Sequence, residues 1–150
     1  WEGLLEAMNG SRRFGELRLC FYGLREEPYF SRIKQVAQTL KLDKVSIYED
    51  LSPQEFQGLM RSSTVFVRPT HSDGDSVAVR EALSLGKMVV ASDVISRPDG
   101  CALFRSGDVN SLRETLEGVP LAPAVGNNSV PVSSDFGERI INLYREVGAR

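Results

Sequence analysis

Thr64-Val65-Phe66-Val67-Arg68-Pro69-Thr70-His71-Ser72-Asp73-Gly74-Asp75-Ser76-Val77-Ala78-Val79-Arg80-Glu81-Ala82-Leu83-Ser84-Leu85-Gly86-Lys87-Met88-Val89-Val90-Ala91-Ser92 reads as strand, turn, helix, turn and strand. The apolar run to Arg68 stops at Pro69, which lacks the N–H a ladder needs. Thr70 to Ser76 is small and polar, the composition of a turn. Asp75 or Ser76 then begins a helix that runs to Leu85, and Gly86 ends it as a C-cap. Met88 to Ser92 is apolar without polar alternation, as a strand covered on both faces should be. A strand–helix–strand unit of this kind makes a parallel pair with a right-handed crossover.

The same alternation continues outward in both directions. Upstream, Ser52-Pro53-Gln54-Glu55 carries a capping box with Pro at the first helical position, and the helix it starts buries Phe56, Leu59 and Met60. Lys44 to Tyr48 and Leu17 to Gly23 read as strands. Between them Pro28 precedes a helix with Phe30, Ile33, Ala37 and Leu40 on one face. Trp1 to Met8 reads as an uncapped helix already under way, so the chain is expected to be a piece cut from a longer one. Downstream, Cys101 to Phe104 is a short strand, and Asp108 caps a helix bearing Leu112 and Leu116. Residues 120–134 read as a loop, and 135–148 as a C-terminal amphipathic helix. About five β/α repeats predict one α/β domain over 1–150, a Rossmann-like parallel sheet of five or six strands with helices on both faces.

Composition agrees. The chain has 150 residues, 41% hydrophobic and 25% charged, enough for one core. A net charge of -2 argues against a nucleic-acid partner. No apolar run approaches the roughly 18 residues of a membrane helix. Cys20 lies in an apolar strand and is expected to be a buried thiol. With Cys101 it makes neither a disulfide framework nor a metal-ligand spacing, so the expected compartment is the cytoplasm and the expected metal is none.

In open parallel sheets ligands bind at the carboxyl ends of the strands. The turn after Arg68 lies there. The first amides of the following helix, at Ser76 and Val77, lack intrahelical partners and sit at the positive end of the helix dipole, which suits a phosphate. Glu81 lies five residues beyond Ser76 and could bind a diol, with ribose the natural one beside a diphosphate. Plainer readings stand next to these. Asp75 fits a cap, Arg80 a partner for a surface carboxylate, and His71 a loop histidine. Arg97-Pro98-Asp99-Gly100 is first a turn and only secondarily a sugar or phosphate contact. Tyr48 and Glu49 end a strand at the ligand edge, where general strand-end polarity explains them equally well.

The run from Pro69 to Ser92 resembles the signature of the retaining family 4 glycosyltransferases of GT-B fold. Their pattern is Pro-Ser, an acid, seven residues, Glu-Ala, then Gly and a Val-Val-Ala strand. Asp73 and Glu81 keep the eight-position spacing, with Asp here for the family's first Glu and Ser76 for its glycine. Gly23, the Ser52 to Ser63 helix and the Asp99 to Asp108 stretch resemble it as well, so the likeness covers about residues 1–118. It implies the donor-binding half of an enzyme that transfers a hexose-type sugar, with retention, from a nucleotide-diphosphate sugar. Asp73 would contact the transferred sugar. Gly74, Ser76, Val77 and Glu81 would bind the donor, with Tyr48 and Glu49 near its base. The family's diphosphate-binding Arg and Lys would align before Trp1, together with the first strand. The acceptor would sit on an N-terminal domain outside this chain, as would any peripheral membrane contact, and the piece alone should hardly turn over. No cofactor or metal is implied. Two other readings remain open, a sugar-nucleotide 2-epimerase and a non-catalytic receiver-like α/β domain. Nucleotide binding separates the receiver from the rest.

Overall fold

The computed structural model describes residues 1–9, 11, 13–22, 27–39 and 45–121. Along them run α1 (Glu2–Met8), β1 (Leu17–Phe21), α2 (Glu27–Thr39), β2 (Val45–Glu49), α3 (Pro53–Arg61), β3 (Val65–Arg68), α4 (Val77–Ser84), β4 (Met88–Ser92), β5 (Cys101–Phe104) and α5 (Val109–Gly118). Gly23, Leu40, Lys44, the loop expected from residue 122 onward and the helix expected over 135–148 lie outside the described residues.

The strand–helix–strand unit of the opening stretch is present. β3 and β4 pair in parallel with Val65 opposite Met88 and Arg68 opposite Ala91. β4 pairs in parallel with β5, and β1 with β2, Leu17 standing opposite Val45. Among the described residues the strands form two sheets, β1-β2 and β3-β4-β5, instead of one continuous sheet. The alternation alone could not show this, since it says nothing about which edges meet.

Helices cover both faces, and β4 shows why its sequence lacks alternation. Val90 joins a core made with Leu4, Leu5, Leu19, Ile33, Phe104, Leu112 and Leu116, which gathers α1, α2 and α5 on one face. Its neighbours Val89 and Ala91 pack with Met60, Val79 and Ala82 of α3 and α4 on the other. The period of two thus sends alternate side chains into two separate apolar layers. Leu5, Leu19 and Ile33 are wholly buried, each contributing roughly 1.5–3 kcal/mol of transfer free energy.

Local signals in the sequence account for the element ends. Ser52 accepts from Glu55 N, and the Glu55 carboxylate accepts from Ser52 N at 2.8 Å, completing the expected capping box. Asp108 Oδ1 accepts from Ser111 N at 2.9 Å and starts α5. Gly86, at φ +67°, adopts the left-handed turn that closes α4. Two arginines serve carbonyls that helix ends leave open. Arg113 donates to the carbonyls of Glu6 and Ala7 at the end of α1, and Arg13 to those of Glu117 and Val119 at the end of α5.

Some expectations shift. Pro28 falls inside the first turn of α2, where a missing N–H costs no helical bond. Phe56 and Leu59 are half-buried, and only Met60 of α3 is fully covered. Cys20 is half-buried where a buried thiol was expected, because among the described residues β1 has a partner strand on only one side and Cys20 lines the cleft on the other.

Candidate functional site

A cleft of about 730 Å³ separates the two sheets. Leu17, Arg18 and Cys20 of β1 form one wall, and Val65, Val67 and Arg68 of β3 the other. Helix α1 closes it on one face through Trp1, Leu4 and Met8, and α3 and α4 close the other. The parallel strands set its polarity. Their carboxyl ends, at Phe21 and Arg68, define one end of the cleft, and α4 begins on the same side.

Helix α4 brings Val77, Ala78 and Glu81 to the cleft. Its N-cap is Ser76, in extended backbone, with no side-chain bond to the helix. The expected cap Asp75 is instead paired with Arg80 at 2.9 Å on the surface, because Ser76 already holds the capping position. The first amides of α4 are therefore left without a side-chain acceptor, the condition in which a helix N-terminus takes an anion. Glu81 is half-buried, and burial raises its carboxyl above the ordinary glutamate value. A group at such a position favours hydrogen-bond donors from a ligand, which relieve the desolvation of its charged form.

Asp73 stands in the turn before α4 in an ion network. Arg68 donates to it twice, Nε to Oδ2 and Nη2 to Oδ1, both at 3.0 Å. Arg97 Nη1 donates to Oδ2 at 2.9 Å, Thr70 Oγ1 to Oδ2 at 3.2 Å, and Gly74 N to Oδ1 at 3.1 Å. The Asp73 side chain is only 7% exposed. Hydrogen bonds from Arg68, against the opposing effect of burial and with Arg97 adding to them, hold its carboxyl well below the ordinary carboxylate range. Arg97 is itself 2% exposed and also donates to the Ser92 carbonyl at 3.1 Å.

The sequence-predicted residues thus divide. Val77 and Glu81 line one cleft, and Gly74 and Ser76 belong to the turn and cap that lead into it. Tyr48 and Glu49 end β2 and are not among the residues lining the cleft; Glu49 pairs with Lys34 at 3.9 Å. His71 is exposed in the turn. Sequence reasoning missed Arg68, read only as a strand end, and gave Arg97 mainly to a turn. The available signal was an arginine on either side of a turn acid, each near a strand's carboxyl end. Among the described residues no group of three or more His, Cys, Asp or Glu is placed to hold a metal ion, and no helix is long and apolar enough to cross a membrane.

Residues 1–101 match the family described as glycosyl transferases group 1. Among solved structures, the sucrose-phosphate synthase of Thermosynechococcus elongatus is similar with a TM-score of 0.63 and 24% identity, over 77% of this chain and 31% of that one. An α,α-trehalose-phosphate synthase (UDP-forming) from Burkholderia xenovorans, solved with glucose-6-phosphate, is similar with a TM-score of 0.61 and 14% identity, over 80% of this chain and 32% of that one. These likenesses show a shared parallel-sheet α/β fold, and this chain spans about a third of either structure's length. No protein of curated function matches the sequence.

Proposed function

The chain belongs to the glycosyl transferases of group 1, and on that premise we propose that its cleft binds a nucleotide-diphosphate sugar, the donor of a retaining glycosyl transfer. The observation that carries this reading is the convergence of the α4 N-terminus and Glu81 on one cleft that reaches the carboxyl ends of parallel strands. The diphosphate meets the amides of Ser76 and Val77, and Glu81 accepts from the ribose hydroxyls.

The chemistry asked of this half is modest. Bond breaking puts negative charge on the departing diphosphate, and amides already aimed at it stabilise that charge without reorganising. Holding the donor in one pose supplies the rest by orientation. Amides together with basic side chains neutralise the diphosphate in this reading, which therefore calls for no metal. The acceptor belongs to another domain of the same enzyme, consistent with the span of this chain, about a third of its structural relatives.

Calorimetry with UDP, GDP and ADP tests the assignment. A charged hydrogen bond is worth about 1.5–3 kcal/mol, so Glu81→Ala should weaken the preferred nucleotide roughly ten- to a hundredfold. Unchanged affinity in the variant rejects the ribose role, and no affinity for any nucleotide rejects the donor site. Retention is read separately, from the anomeric configuration of the product by NMR.

A further inference from the structure

We propose that Arg68 is an anion contact of the cleft and that Asp73 is the residue that positions it, so that the outer edge of the guanidinium meets the donor's diphosphate. The identity of the anion rests on the donor reading above; the anion site itself does not.

Arg68 is the last residue of β3 and lines the cleft together with Val77 and Glu81. Its Nε and Nη2 both face Asp73. Its Nη1 has no protein partner among the described residues, and the side chain is 34% exposed. The guanidinium is therefore fixed along one edge and open along the other. A flexible arginine normally loses rotamer freedom when it takes a ligand; here that loss is incurred on folding.

Asp73 is pinned from behind. Buried Arg97 holds Oδ2 and also donates to the Ser92 carbonyl at the end of β4. Ser92 Oγ in turn donates to the Thr70 carbonyl at 2.7 Å. The turn, β4 and the segment beyond it thus converge on one carboxylate. That carboxylate has little capacity left. Oδ2 accepts from Arg68, Arg97 and Thr70, and Oδ1 from Arg68 and Gly74, against about four lone-pair sites in all. A sugar hydroxyl would have to displace an arginine to reach it, which is why a positioning role fits Asp73 better than a direct sugar contact.

Charge points the same way. One carboxylate faces two guanidinium groups, so the network keeps a surplus positive charge at the carboxyl end of β3, beside the open amides of α4. The planar donor fork of a guanidinium matches phosphate oxygens, and the free edge of Arg68 on one side with helix amides on the other suits a diphosphate.

The test is calorimetry on the full chain with inorganic pyrophosphate, a panel of nucleoside diphosphates and the matching nucleosides. Arg68→Gln should weaken pyrophosphate and nucleoside diphosphates at least tenfold and leave nucleoside affinity unchanged. Arg68→Lys should recover only part of the loss, since an ammonium cannot keep the Asp73 fork and reach the ligand together. Asp73→Asn separates positioning from simple charge. Removing a carboxylate should strengthen anion binding if charge alone matters; it should weaken binding if Arg68 must be held. Where Asp73→Asn fails to fold, the two Arg68 variants decide alone. A wild-type chain that does not bind pyrophosphate, or an Arg68→Gln variant that binds it normally, overturns the proposal. The donor reading fails separately. Pyrophosphate binding that depends on Arg68, with nucleoside diphosphates binding no more tightly, would leave the anion contact standing and remove the nucleotide. Nucleotide binding that depends on Glu81 but not on Arg68 would do the reverse.

Discussion

Asp73 and Glu81 stand eight positions apart in sequence and in opposite electrostatic settings. Arginines surround Asp73 and favour its ionised form, while burial disfavours the ionised form of Glu81. The two therefore respond to acid differently. Asp73 has a native value depressed below its unfolded one. Its contribution to stability is complete above the unfolded value near ~4 and is lost as pH falls toward the depressed native value. The loss in stability caused by Asp73→Asn, followed by urea denaturation between pH 7 and pH 2, should hold constant down to about pH 5 and then shrink. A difference that stays level across the whole range would show that the carboxylate's charge is irrelevant to the network. Glu81 runs the other way, since its native value is raised. Ionisation at neutral pH works against folding, and a ribose bound at that site would offset part of that cost.

Two helices meet the cleft with different N-termini. Helix α3 is closed by the Ser52–Glu55 capping box, whereas α4 begins at Ser76 without a side-chain bond. Both N-cap residues are serines, so the difference lies in the first turn of each helix. Glu55 reaches back to the Ser52 amide, and α4 has no acid in its first turn. A cap of the first kind is worth roughly 1 kcal/mol. Ser52→Ala should therefore lower stability by about that amount, and Ser76→Ala by far less, when the urea midpoints are compared. Equal costs would mean that the α4 amides are satisfied in solution and not open to an anion. The comparison thus tests the premise of the phosphate site by a measurement that involves no ligand.

At the scale of the molecule, β4 is the one strand among those described with a partner on each side, and both helical layers pack on it. β1 and β3 each face the cleft with one edge. Opening β4 requires breaking both apolar clusters, whereas β1 can loosen toward the cleft without disturbing α3 or α4. Native-state hydrogen exchange should accordingly find Val89, Val90 and Ala91 among the slowest amides and those of Leu17 to Phe21 appreciably faster. Protection of β1 equal to that of β4 would indicate that the edge is covered in solution. The same architecture explains why the functional residues collect where they do, since the carboxyl ends of β1 and β3 and the start of α4 lie on one side of the cleft.

Much of the fold was legible because its signals are local. The Ser52-Pro53-Gln54-Glu55 box, Asp108 ahead of its helix, Gly86 after α4 and the unbroken apolar run of β4 each act within a few residues, through backbone geometry or a single layer of packing. The spacing of Asp73 and Glu81 was local in the same sense, and so the turn and helix that carry the candidate site could be located without coordinates. The tertiary structure decided what those residues touch. Arg97 reaches Asp73 across 24 positions of sequence. Cys20 came out half-buried because its strand lines the cleft, and Tyr48 and Glu49 fell outside the cleft lining because β2 lies on the far side of β1. Short-range pattern determines which elements form, whereas burial and charge pairing depend on which elements the chain brings together in space, a choice made by the packing of the whole core.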